Sequence, residues 1–163
     1  MMIDIGSFTG QLYSKSGRAV QISSSDKVVL SSTEQDATVF LFVRCRAWNT
    51  VTQSLRPLCY SLVDAQRSDR YVRHYGYYLR LDSEHDPTNP SYFDNDCSFV
   101  FHEDTFYTGY YALESVNFPN YYIKSDPDGR LLITQRSDTA DYNDTASFRI
   151  SEYMSGKCQY AFL

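Results

Sequence analysis

A pattern that recurs three times at a spacing of about 50 residues constrains this chain more than any other feature of it. Leu12, Leu62 and Leu113 open the units, Val20, Val72 and Ile123 fall in a second segment, and Leu30, Leu81 and Ile133 in a third. Each unit closes alike, in Asp36-Ala37-Thr38-Val39-Phe40, Asp96-Cys97-Ser98-Phe99 and Thr145-Ala146-Ser147-Phe148. Units so short cannot bury their own apolar faces, so they must close over one shared core. The register is firmest between units two and three, where Arg70-Tyr71-Val72-Arg73 matches Tyr121-Tyr122-Ile123-Lys124. Unit one needs a one-residue insertion at Val39 and carries Arg18-Ala19-Val20-Gln21 where the others have a tyrosine.

The segments read as strands. Ala19-Val20-Gln21-Ile22, Lys27-Val28-Val29-Leu30, Tyr78-Leu79-Arg80-Leu81 and Ser147-Phe148-Arg149-Ile150 are short and alternating, and turn residues such as Ser125-Asp126-Pro127-Asp128-Gly129 punctuate the chain. Aromatic residues make up 16% of the chain, a bias toward pleated sheet. The expectation is a single all-β domain over 1–163, with four-stranded repeats at about 11–43, 61–101 and 112–150. Residues 44–60, with Trp48 and Pro57, form a connection between units one and two, and 151–163 a closing segment. In the last strands, Cys97, Phe99 and Phe101 share one face, as do Ala146, Phe148 and Ile150, and that face points inward.

A net charge of -5 without a cluster of Lys and Arg argues against nucleic acid as a partner. The longest apolar run is Val39-Phe40-Leu41-Phe42-Val43, far below the ~20 residues of a membrane-spanning helix. The N-terminus lacks the features of a secretory signal. Cys45, Cys59, Cys97 and Cys158 have no zinc or redox spacing. Cys97 stands where the other units have Ala37 and Ala146, a small buried position, and at most one pair is possible among the other three. Reduced cysteines and a cytoplasmic setting are the simpler expectation. No nucleophile elbow or phosphate-binding glycine loop is present, so no enzymatic activity and no cofactor are expected. The insertion Asp82-Ser83-Glu84-His85-Asp86 fits no metal-binding spacing and reads as a solvated acidic loop. Tyr107, Tyr110 and Tyr111 are expected to wall the core between units two and three. Asn143-Asp144-Thr145 is a glycosylation acceptor sequence, relevant only to an exported chain.

Units two and three share a further grammar: Glu114-Ser115-Val116-Asn117-Phe118-Pro119-Asn120-Tyr121-Tyr122-Ile123-Lys124, then Asp128-Gly129-Arg130-Leu131, then Ala146-Ser147-Phe148-Arg149. Unit two repeats the frame in Asp69-Arg70-Tyr71-Val72-Arg73-His74, Leu79-Arg80-Leu81-Asp82 and Asp96-Cys97-Ser98-Phe99. This resembles the C-terminal arabinose-binding domain of the fungal arabinofuranosidase B family, over 61–150 well and 11–43 loosely. The resemblance implies a β-trefoil, three four-stranded repeats about a pseudo-threefold axis. It also implies non-catalytic carbohydrate binding, since hydrolysis in that family belongs to a separate domain.

In the resembled family each repeat can hold a furanose between a His, the aromatic residue near it and an Asp. Unit two keeps all three as His74, Tyr75 and Asp96. Unit three has Ser125 and Thr145 at the His and Asp positions, with Asp144 one residue away, and unit one has Ile22 but keeps Asp36. One complete pocket is therefore expected, in a monomer, for a terminal sugar such as L-arabinofuranose. In it Asp96 accepts from vicinal hydroxyls, His74 donates or accepts, and Tyr75 forms a wall. The competing reading makes His74 a strand-end histidine and Asp96 a turn cap, in a β-trefoil that binds an unidentified protein instead of a carbohydrate.

Overall fold

The structure, a computed structural model, describes residues 6–32 and 37–152. Among these, twelve strands follow in order: β1 (Phe8–Ser14), β2 (Val20–Ile22), β3 (Val28–Leu30), β4 (Phe40–Arg44), β5 (Cys59–Asp64), β6 (Arg67–Tyr75), β7 (Tyr78–Ser83), β8 (Phe99–Glu103), β9 (Tyr111–Ser115), β10 (Tyr121–Ser125), β11 (Leu131–Gln135) and β12 (Phe148–Glu152). Two short helices, α1 (Phe93–Asp96) and α2 (Ala140–Thr145), precede β8 and β12.

Six strands close a ring of antiparallel pairs: β1 with β4, β4 with β5, β5 with β8, β8 with β9, β9 with β12, and β12 back to β1. The other six form three hairpins, β2 with β3, β6 with β7 and β10 with β11. The hairpins meet through single bridges, Lys27 with Arg80, Val29 with Arg130 and Tyr78 with Leu132. Closure of the ring removes the exposed sheet edges that would invite pairing with other chains.

Every apolar position of the repeat is buried: Leu12, Leu62 and Leu113; Val20, Val72 and Ile123; Leu30, Leu81 and Ile133; Phe40, Phe99 and Phe148. They form one cluster. The central gap between them is about 10 Å³, too small to hold a water comfortably, so the interior is packed. Phe99 and Phe101 point inward as expected, while Ile150 is only half-buried. Val100, on the opposite face of β8, is buried too, because Cys45, Ala47, Val51 and Cys59 form a second small core against it.

That second core corrects the expectation of reduced cysteines. Cys45 and Cys59 are joined in a disulfide. The cause is register: Arg44 pairs with Tyr60 across β4 and β5, which sets the next residues outward, Cys45 and Cys59, opposite each other with Cα atoms 5.3 Å apart. Cys97 is a buried free thiol, as expected, and Cys158 lies outside the described residues, as do Asp36 and most of 151–163. Trp48 is half-buried between the guanidinium groups of Arg44 and Arg56, 4.9 and 5.4 Å from its ring.

One further expectation needs adjusting. Tyr111 packs against the core, but the Tyr107 hydroxyl donates to Asp144 at the surface and the Lys15 ammonium lies 4.5 Å over its ring. The acidic insertion is solvated at His85 and Asp86, as expected, and anchored beside them: Glu84 accepts from Arg46, and Asn89 donates to the Ser83 carbonyl.

Candidate functional site

Strand β6 ends in His74 and Tyr75, and Gly76-Tyr77 turns the chain into β7 with Tyr75 opposite Tyr78. Both turn residues have positive φ, 56° at Gly76 and 71° at Tyr77, as a two-residue hairpin turn requires. Glycine adopts that geometry freely and tyrosine does not. The Ile133 amide holds it by donating to the Tyr77 carbonyl at 2.8 Å. Asp96 is the last residue of α1, and Asn117 and Phe118 lie just past β9 in the turn toward β10. Together these segments surround an open cleft of about 420 Å³.

The floor of the cleft is polar. Arg73 Nη2 donates to Asp96 Oδ2 at 2.6 Å, and Asn117 Nδ2 donates to Asp96 Oδ1 at 2.8 Å. The Asn117 amide must then turn its oxygen toward His74 Nε2, 2.9 Å away. The network therefore assigns the imidazole proton to Nε2 and leaves Nδ1 as an acceptor. The Ser115 hydroxyl donates to the same Asn117 oxygen at 3.0 Å and accepts from the Phe118 amide at 3.2 Å. Burial pushes the His74 pKa below its ordinary 6.5, against the opposing pull of Asn117 and Asp96, and the nearby Arg73 cation adds to the lowering. At pH 7 the ring is neutral.

Charge in the floor balances. Arg73 reaches Asp82 Oδ2 at 3.4 Å as well as Asp96, and Arg80 Nε donates to the same Asp82 oxygen at 2.7 Å. The lining of the cleft thus holds one cation, Arg73, and one anion, Asp96, beside a neutral imidazole, and Asp82 and Arg80 pair with each other outside it. An ionic ligand placed here would be left without a compensating charge, whereas a neutral polyhydroxyl ligand would not.

The rim is aromatic. Tyr75, Tyr77 and Tyr92 are 58%, 50% and 55% exposed and line the cleft together. The Arg80 guanidinium backs the Tyr75 ring at 3.8 Å, and Phe118 meets the edge of His74 with centroids 5.2 Å apart.

His74, Tyr75 and Asp96 therefore line one cleft. His74 and Asp96 are not directly hydrogen-bonded, since 3.6 Å separates Nε2 from Oδ1 and Asn117 bridges them. Sequence reasoning missed Arg73, Asn117, Tyr77, Tyr92 and Phe118. Asn117 and Phe118 stood in the stretch that carries the family resemblance, and Arg73 precedes His74 in the matched frame; Tyr92 had no signal. At the matching end of unit three the Thr145 hydroxyl donates to the Asp141 and Tyr142 carbonyls. Ile22 of unit one lines a hollow with Thr38, Val39, Asp64 and Gln66.

A closed ring of six strands carrying three hairpins, with a polar cleft at one hairpin tip, has the form of a β-trefoil-like all-β domain. The chain belongs to the Alpha-L-arabinofuranosidase B (ABFB) domain family, whose sequence pattern matches residues 13–150. That domain is a carbohydrate-binding module and is not catalytic by itself. Among solved structures, a crystal structure of arabinofuranosidase complexed with arabinofuranosyl-alpha-1,2-xylobiose superposes with a TM-score of 0.69 at 17% identity, over 90% of this chain and 31% of that one. The chain thus spans about a third of that enzyme's length. A gallus interleukin-1 beta mutant matches with a TM-score of 0.64 at 15% identity, over 89% of this chain and 95% of that one. The BEL beta-trefoil matches with 0.61 at 13%, over 90% and 93%. At these identities the likeness is one of fold. No curated protein is a significant sequence match to the chain.

Proposed function

We propose that the chain is one three-repeat β-trefoil domain that binds carbohydrate through the unit-two cleft, and that its ligand is a terminal furanose-type sugar such as L-arabinofuranose. The observation that carries this reading is the charge-balanced floor of Arg73, Asp96, Asn117 and His74 beneath exposed tyrosines. Each oxygen of Asp96 accepts one internal hydrogen bond and keeps a lone pair for a sugar hydroxyl. His74 Nδ1 accepts from another hydroxyl, and Tyr75 covers the C–H side of the ring. Hydrogen bonds to the charged carboxylate contribute roughly 1.5–3 kcal/mol each. A single monosaccharide in one such cleft binds with an affinity near millimolar, about -4 kcal/mol. The Cys45–Cys59 disulfide supports maturation in an oxidising compartment, where a chain meets extracellular glycans.

Titration of isotope-labelled protein with methyl α-L-arabinofuranoside and common monosaccharides tests the reading. Saturable amide shifts confined to the surroundings of His74, Tyr75, Asp96 and Asn117 are expected at millimolar concentrations, and they should vanish in His74→Ala. Absence of shifts with every sugar would remove the carbohydrate reading.

A further inference from the structure

Two segments of the chain fall outside the repeat, the connection 44–60 and the acidic insertion after β7, and they meet at one side chain. Arg46 Nη1 donates to Glu84 Oε2 at 2.5 Å, and Arg46 Nε donates to Asp94 Oδ1 at 2.7 Å. One guanidinium thus closes the loop from Glu84, in the insertion, to Asp94, in α1. It lies 4.8 Å from the centre of the Tyr71 ring on β6 and 5.8 Å from that of Phe93. A planar guanidinium serves two carboxylates in fixed directions, which a compact ammonium does not.

The base of this staple is firm. The Arg46 amide donates to Ser61 Oγ on β5 at 3.0 Å, and the Ala47 amide donates to Ser98 Oγ at 2.9 Å. The Ser98 hydroxyl donates in turn to the Asp94 carbonyl at 2.6 Å, so main chain and side chain of the connection converge on the same residue of α1. The disulfide ties the preceding residue, Cys45, to Cys59 at the start of β5.

The cleft lies at the far end of α1. Tyr92 immediately precedes the helix and Asp96 ends it, and both line the cleft, while Arg46, Glu84 and Asp94 lie outside its lining. With four residues and no capping side chain at Tyr92, α1 is too short to hold its shape unaided. Its buried Phe93 also has the Arg73 guanidinium 5.2 Å from its ring, so the staple and the floor of the cleft press on one side chain.

Resting on the carbohydrate reading of the cleft, we propose that Arg46 is a positioning residue: by holding Glu84 and Asp94 together it sets where Asp96 and Tyr92 stand, and so the affinity for the sugar.

Hydrogen exchange and sugar titration of the full chain test this. The Asp96 and Cys97 amides, which donate to the Tyr92 and Phe93 carbonyls, should exchange about tenfold faster in Arg46→Met, while the Leu30 and Leu81 amides, bonded to Gly129 and Asp26, keep their rates. Methyl α-L-arabinofuranoside should bind that variant about tenfold more weakly, equivalent to about 1.4 kcal/mol. Arg46→Met/Asp94→Asn should bind no more weakly than Arg46→Met, because the second change removes a contact already lost. If Arg46→Met fails to fold, Glu84→Gln/Asp94→Asn keeps the arginine on Tyr71 and should give the same two losses. Unchanged exchange at Asp96 and Cys97, wild-type affinity in a folded variant, or additive losses in the Arg46→Met/Asp94→Asn chain would each overturn the assignment. Wild-type binding separates the two readings: a wild type that binds no sugar defeats the cleft reading and this one with it, whereas a wild type and an Arg46→Met variant that bind equally defeat this one alone.

Discussion

Replacing Asp96 by Asn probes the floor of the cleft with the least change in shape. Asp96 is 2% exposed and its partner Arg73 3%. The carboxylate accepts from two donors, one on each oxygen, and neutralises a guanidinium that has almost no access to water. Asparagine keeps one acceptor oxygen, which Asn117 can use, and sets an N–H₂ against Arg73. Removing one member of a buried ion pair costs about 3–5 kcal/mol, because the other charge stays buried and uncompensated. Asp82, 3.4 Å from Arg73 Nη1, keeps part of the compensation and puts the expected cost near the lower end, about 3 kcal/mol. For a domain of this size that lowers the melting temperature by roughly 6–12 °C. Urea denaturation followed by the single tryptophan, Trp48, measures it as a lower midpoint at unchanged slope. The double variant Arg73→Met/Asp96→Asn should recover part of the loss, since no charge is then left buried and the remaining oxygen still accepts from Asn117. A cost below about 1 kcal/mol in Asp96→Asn, or a double variant as unstable as the sum of the singles, would refute the argument that Arg73 depends on this carboxylate.

Three other expectations follow from the burial and pairing of particular side chains. His74 has a folded-state pKa below 6.5, so the unfolded chain takes up a proton that the folded one refuses; its contribution is fully present above pH 6.5 and is lost as pH falls through the folded value. The urea midpoint should therefore drop between pH 7.5 and 5.5, and an equal drop in His74→Gln would defeat the assignment. Glu114, held below its ordinary 4.5 chiefly by the hydrogen bond from His102, acts in the same direction only at lower pH. The cysteines separate by environment. The Cys45–Cys59 loop, of sequence separation 14, should cost about 3 kcal/mol when both are changed to serine. The Cys97 thiol, pushed up to about 12 by burial, should resist iodoacetamide at pH 8 until denaturant is added, as peptide mapping will show.

What could be read from the sequence was whatever the chain repeats. Leu12, Leu62 and Leu113 and their successors announced strands and core alike, because one physical demand, an inward face, recurs at each of them. The disulfide escaped for the opposite reason. Cys45 and Cys59 are brought together by the pairing of β4 with β5, and no local pattern encodes that register. The cleft falls between these cases. His74, Tyr75 and Asp96 belong to one repeat and were found together, but the groups that orient them come from elsewhere. Asn117 and Phe118 reach across from the turn after β9, in the next unit, so a reading confined to unit two misses the amide that bridges His74 and Asp96.

At the matching positions of unit three the side chains are committed to other partners, beyond the substitutions visible in its sequence. Lys124 matches Arg73, yet its ammonium lies 5.4 Å above the Tyr142 ring. Asp144, the nearest carboxylate to the family position, accepts from Tyr107 instead. Thr145 spends its hydroxyl on carbonyls of its own helix, and Ser125 is too short to span the distance that an imidazole covers. The ion pair that fixes the floor in unit two thus has no counterpart among the described residues at these positions of unit three. Changing Ser125 to His alone would restore neither the oriented carboxylate nor the acceptor that fixes the imidazole. Under the proposed function, unit three therefore adds no second site, and a polysaccharide gains little of the roughly 10²–10⁴ in avidity that linked sites confer.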